Sequence, residues 1–174
     1  MYNISYFFAK VKYKLCHNNS EVISRHFRRL GMKIGKGSVI TCNIMTPEPY
    51  LISIGSNVTI ANGVQFVTHD NSISKVIPGT TDLFGEIIIG DNCFIGAKST
   101  ILYGVEIANS VIIAAGSVVT KSIKEERVVV AGNPARIISH WDSFAEKSKK
   151  YAISVEGLIE PERERFIKTN LLKR

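Results

Sequence analysis

From Ile89 to Lys124 the chain repeats every six residues: IGDNCF, IGAKST, ILYGVE, IANSVI, IAAGSV, VTKSIK. Each hexad opens on an aliphatic residue (Ile89, Ile95, Ile101, Ile107, Ile113, Val119). A small residue follows in most of them, and the fifth position is small or aliphatic. Isoleucine is roughly one residue in seven of the chain, too few for five consecutive coincidences. A period of six is neither that of a helix nor that of one ordinary strand. It fits a β-helix, in which each hexad is a short strand plus a corner. Such a unit buries its apolar residue only by stacking on copies of itself, so the repeat commits the chain to an all-β solenoid.

The same rhythm begins earlier, at Ile34 (IGKGSV) and Ile40 (ITCNIM), then slips phase by two residues at Pro47 and Pro49. Proline lacks the N–H that a ladder needs, which suits an edge or bulge. The hexads resume at Ile54, Ile60 and Phe66 and stop again before Ile89. Counting back from Ile89 would place Asn71 at an anchor and Lys75 inside, which fails the pattern. Residues 70–86, with Pro78-Gly79 and Gly85, therefore read as a loop extruded from the wall. Three hexads close one triangular turn, so the expected body is about four coils over 32–138, the second carrying the loop. Residues 1–31 read as an N-terminal helical cap over the first coil, with Asn19 or Ser20 starting a helix and Gly31 ending it. Residues 139–174 read as a helical extension, with Pro161 at the first helical position, a Glu164–Lys168 pair, and Phe166, Leu171 and Leu172 as docking residues.

The chain carries a net charge of +7. All of it lies in residues 1–36, where Lys10, Lys12, Lys14, Arg25, Arg28, Arg29, Lys33 and Lys36 face only Glu21. That end attracts polyanions or an anionic membrane surface. No apolar run approaches a membrane span, and the start lacks the layout of a signal peptide. The expectation is a cytoplasmic protein, with the inner face of the membrane within reach of its basic N-terminus. Cys16, Cys42 and Cys93 are odd in number, widely spaced and without metal-ligand spacing; they read as ordinary thiols.

Residues 18 apart stack on one face. Ala97 and Ala115, Gly96 and Ala114, and Ser99 and Ser117 thus form a column of small residues, against which a ligand chain could lie close to the backbone. His69 is the one histidine in the repeats. It stands where the wall ends and the loop begins, followed by Asp70, and imidazole suits general-base work near neutral pH.

The hexads, VTHD, the loop, IGDNCFIGAKSTILYGVEI, AAGSVVTKSI and AGNPARII together resemble the hexapeptide-repeat acyltransferases. The likeness covers about residues 31–139. It is strongest to the sugar O-acetyltransferases, the branch with galactoside, maltose and capsule or lipopolysaccharide acetyltransferases. The resemblance implies a left-handed parallel β-helix; the spacing says nothing of its hand, and general crossover rules favour the other one. It implies a homotrimer with sites between subunits, acetyl-CoA as co-substrate, and a saccharide or sugar-nucleotide acceptor. Neither metal nor nucleic acid is implied. By position His69 matches the family's catalytic histidine. Asn43, with Asp70, falls where the acceptor is met. Ala97, Ala115, Thr120, Lys121 and Arg136 match the CoA-contacting positions, with Lys121 and Arg136 toward its phosphates. Phe94 stands where near relatives often carry Trp, and Ser139 where some have a second basic residue. An N-acyltransferase on an amino-sugar nucleotide or other amine is the competing reading. A γ-type carbonic anhydrase would need more histidines in the coils, and an ice-binding helix would need ladders of outward Thr.

Overall fold

The computed structural model describes residues 2–172. Successive short strands from Lys33 onward fall in turn into three parallel sheets, which form three walls around one apolar core. The first wall stacks Lys33–Ile34, Ile52–Ile54, Ile87–Ile89 and Glu106–Ile107. The second stacks Val39–Ile40, Thr59–Ile60, Phe94–Ile95, Ile112–Ile113 and Val128–Gly132, with Ala135–His140 at its edge. The third holds Gln65–Val67, Thr100–Leu102 and Val118–Val119.

Register explains the rhythm and both of its breaks. Ile95 pairs with Ile113 and Ile101 with Val119, each 18 residues on, as three hexads per turn require. Ile34 pairs with Ile54 and Ile40 with Ile60, so the first turn takes 20 residues and absorbs the two-residue slip. The excess lies in a 3-10 turn at Pro49–Leu51. Ile54 pairs with Ile89 and Phe66 with Ile101, 35 apart, so the loop adds 17 residues without disturbing the walls. The hexad-opening isoleucines from Ile54 to Ile113 are almost wholly buried, each sandwiched between its neighbours in the stack.

The corners carry a signal in the fourth position of the hexad. Gly37, Asn57, Gly63, Asn92, Lys98, Gly104, Ser110 and Gly116 all have positive φ. Gly and Asn dominate there because a left-handed residue otherwise sets Cβ against the following carbonyl. Asn43 and His69 occupy the same position in their hexads and do not adopt that conformation. They stand where the slip and the loop interrupt the walls.

Two helices, α1 (Tyr2–Leu15) and α2 (Glu21–Arg29), precede the coils. Ser20 makes no side-chain cap; Asn19 Oδ1 instead accepts from the Glu21 amide at 3.0 Å. Gly31 follows with φ +112°. Helix α2 buries Ile23 and Phe27 against the first coil, and its polar groups bond to that coil's open edge. Arg28 donates to the carbonyls of Ile34 (2.8 Å) and Gly35 (3.0 Å) while paired with Glu21, and Ser24 donates to Ser38. The cap thus satisfies acceptors that a terminal coil would leave unpaired.

Chain contacts divide the molecule after Ser139. The second unit holds α3 (Trp141–Ser148), a 3-10 turn at Lys149–Tyr151 and α4 (Glu162–Asn170). Pro161 is the N-cap of α4, one position earlier than expected. The Glu164–Lys168 ion pair forms, whereas Phe166, Leu171 and Leu172 are exposed.

Candidate active site

The third wall ends at Val67, and there the chain leaves the coil. His69–Asp70 pairs antiparallel with Leu83–Phe84, closing the base of the loop as a short hairpin, with His69 opposite Phe84. Their rings lie 5.7 Å apart, so the imidazole is backed by an aromatic face. Beneath it is Glu48, an acid held between Pro47 and Pro49 in the phase slip. Its Oε2 lies 2.9 Å from His69 Nδ1 and accepts the Thr68 hydroxyl at 2.7 Å. Because the Thr68 proton is committed to Glu48, Thr68 Oγ1 accepts from Thr46 Oγ1 at 2.6 Å.

This network fixes the histidine's chemistry. Burial alone would raise the Glu48 carboxyl, but the hydrogen bonds from Thr68 and His69 more than offset it, and Glu48 lies below its usual value. An ionised carboxylate only accepts, so Nδ1 of the neutral ring carries the proton. Nε2 then holds the free lone pair. The His69 side chain is 36% exposed and Glu48 13%: the base is open to solvent, and the group that orients it is largely covered. Glu48 was not among the residues singled out from sequence, and only the folded slip brings it across from a histidine 21 positions later.

The other expected residues separate by edge. Ala97 and Ala115 stack where the second wall turns into the third; the Gly116 amide donates to the Ala97 carbonyl at 2.8 Å. Both alanines reach the surface, but Gly96, Ser99 and Ser117 are buried, which narrows the small-residue column. Ser99 Oγ turns inward and donates to the Gly96 carbonyl, and Ser117 Oγ to that of Ala114. Asn43, half-buried, turns the same edge two coils earlier, since Ile40 stacks under Ile60 and Ile60 under Ile95. His69 and Glu48 lie at the opposite edge, where the third wall gives way to the first. Thr120 and Lys121, both exposed, turn that edge near the top. From the register Phe66↔Ile101, His69 is abreast of Gly104, seven residues from Ala97. At strand rise the two edges stand roughly 15–20 Å apart.

Lys121 and Arg136 come together. With Lys124, Glu125, Ala135 and Ile137 they line a cleft of about 580 Å³ near the top of the stack; Lys124 there is paired with Glu106, and Lys121 and Arg136 are the cations suited to phosphate. Asp70 is engaged locally: its Oδ1 accepts from the Ser72 amide at 2.8 Å and caps the 3-10 turn Asn71–Lys75. The Ser72 bonds hold its carboxyl below the usual value. Phe94 is exposed on the second wall. Cys42 and Cys93 are buried thiols that burial pushes up, so neither is poised as a nucleophile.

The chain is similar to several known proteins. A family model described as "Hexapeptide repeat of succinyl-transferase" matches residues 86–121. Protein CapG of Staphylococcus aureus is 42% identical over 126 residues, covering 69% of this chain and 72% of its own. Galactoside O-acetyltransferase of Escherichia coli is 34% identical over 106 residues, 60% of this chain and 52% of its own. Among solved structures, the hexapeptide-repeat-containing acetyltransferase VCA0836 of Vibrio cholerae, complexed with acetyl coenzyme A, aligns with TM-score 0.55 and 28% identity. That alignment covers 64% of this chain and 61% of the other. With the hexad register, the chain belongs to the hexapeptide-repeat acyltransferase family and is an acyltransferase.

Proposed function

We propose that the protein transfers an acetyl group from acetyl-CoA to a sugar hydroxyl by direct attack, with His69 as general base, in the modification of a surface polysaccharide. The observation that carries this is the Glu48–His69 bond, which leaves Nε2 of an open imidazole unprotonated at the root of the loop. Nε2 takes the proton from the acceptor hydroxyl as its oxygen attacks the thioester carbonyl. The imidazolium that forms is stabilised by the Glu48 carboxylate. Backbone N–H groups at the corner stabilise the tetrahedral oxyanion. Collapse of that intermediate expels the CoA thiolate, which takes the proton back from Nε2. No acyl-enzyme is required, in keeping with the buried thiols.

The division of residues between two edges supports a homotrimer of left-handed parallel β-helices. One subunit presents His69, Glu48, Thr120 and Lys121 on one edge and Asn43, Ala97 and Ala115 on another, too far apart to meet one substrate within a single chain. Threefold packing sets the first edge of one subunit against the second edge of its neighbour. The pantetheine arm then lies along Ala97 and Ala115, and Lys121 and Arg136 hold the nucleotide phosphates. The sugar acceptor rests on the similarity to galactoside O-acetyltransferase and on a base suited to a hydroxyl.

Labelled acetyl-CoA with a panel of sugar hydroxyl and amine acceptors tests the reading. His69→Ala should cut transfer to the preferred sugar by ~100-fold or more while the oligomer persists. Undiminished transfer in that variant, or acetylation confined to amines, would overturn it.

A further inference from the structure

Helix α1 is apolar on two faces, and only one of them packs on the protein. Tyr6, Ala9 and Tyr13 pack against the core. Ile4, Phe8, Val11 and Leu15, with Phe7 beside them, form a second stripe whose members are 41–76% exposed. At 3.6 residues per turn the two stripes point roughly 170° apart. Lys12 and Lys14 stand roughly 80° to either side of the exposed stripe, and α1 carries no acidic residue. Lys10 is turned away, its ammonium 5.2 Å from the Tyr13 ring centroid. Between α1 and α2 lies a cleft of about 360 Å³ lined by Ser5, Phe8, Lys12, Arg25, His26 and Arg29. His26 Nε2 is buried there without a hydrogen-bond partner. Burial, with the charge of Arg29, lowers the His26 pKa and so favours the neutral ring.

We infer that the outward face of α1 is a docking surface for an anionic lipid bilayer, with the α1–α2 cleft taking the phosphate of a lipid headgroup. The apolar stripe enters the acyl boundary. Lys12 and Lys14 reach the headgroup level on either flank, and Arg25, Arg29 and His26 meet a phosphate oxygen. None of the described helices is long and apolar enough to cross a membrane, so the contact is peripheral. A second copy of the chain is a poorer occupant. It would bring this basic surface against itself, since Glu21, the sole acid of residues 1–36, is held by Arg28. The inference does not depend on which acceptor the enzyme uses.

The test is flotation of the full-length protein with vesicles of phosphatidylcholine alone and of phosphatidylcholine containing about 30% phosphatidylglycerol. The protein should bind the anionic vesicles at least about tenfold better than the neutral ones, and less well as salt is raised. The exposed pair Phe7→Ser/Phe8→Ser and the charge variant Lys12→Gln/Arg25→Gln/Arg29→Gln should each weaken binding about tenfold or more. Both should retain the parent's oligomeric size and acetyl transfer in solution. Equal binding to both vesicles, or parent-like binding by both variants, would overturn the inference. So would a smaller oligomer in the phenylalanine variant, which would assign the face to another subunit.

Discussion

Replacing Glu48 by glutamine isolates what its charge contributes to the base. The glutamine carbonyl can still accept from Thr68 and from His69 Nδ1, so ring orientation and tautomer are kept; only the negative charge is lost. That charge matters when His69 takes the acceptor's proton and becomes an imidazolium. With Nδ1 and Oε2 at 2.9 Å the charge centres are about 4 Å apart, which is worth about 4 kcal/mol at the effective dielectric of a protein surface. The His69 side chain is 36% exposed, and screening leaves about half, ~2 kcal/mol. The expected loss is about 30-fold in kcat with the KM for acetyl-CoA unchanged, because the Glu48 carboxylate is taken up by Thr68 and His69. Thiol release at saturating acetyl-CoA, with acceptor varied, measures it. Unaltered kcat, or a loss confined to KM, would refute the claim that Glu48 stabilises the transition state through His69.

Lys121→Ala with Arg136→Ala should raise the KM for acetyl-CoA about tenfold or more, with a smaller effect on dephospho- or pantetheine-truncated donors; an equal effect on all donors would remove the pair from the phosphate end. Glu48 also links stability to pH. Its folded pKa is depressed, so its contribution is complete above the ordinary glutamate value of 4.5 and is lost as pH falls through the depressed one. Denaturant midpoints followed downward from neutral pH should therefore decline less in Glu48→Gln than in the parent. Gly96→Ala would set a Cβ 2.5 Å from the Ala115 amide nitrogen, forcing two coils apart. It should lower stability by about 1–3 kcal/mol in denaturant unfolding, and an unchanged midpoint would contradict the stacking.

Much of this fold was legible because a coil is a local repeat: each hexad must offer an inward aliphatic to its copies, so the core from Ile34 to Val119 stands in the sequence as a period. The corner signal was equally present, with Gly or Asn at 37, 57, 63, 92, 104 and 116, but it lies on a position that faces solvent and carries no hydropathy pattern. The loop and the slip were visible as broken rhythm, and His69 as the histidine standing at a break. What the pattern could not convey was partnership across the breaks. Glu48 is a glutamate between two prolines until the two-residue excess of the first turn swings it under His69. The column of small residues looked like six members in sequence; the fold turned Ser99 and Ser117 inward to bond corner carbonyls and left Ala97 and Ala115 outside. Residues 1–31 read only as a helical cap; the packing of α1 on α2 through Tyr6 shows which apolar face is used and that a second is left over. Periodicity records which residues a repeating unit must bury. Which polar groups meet where that unit is interrupted depends on distances through space, and those exist only once the walls have stacked.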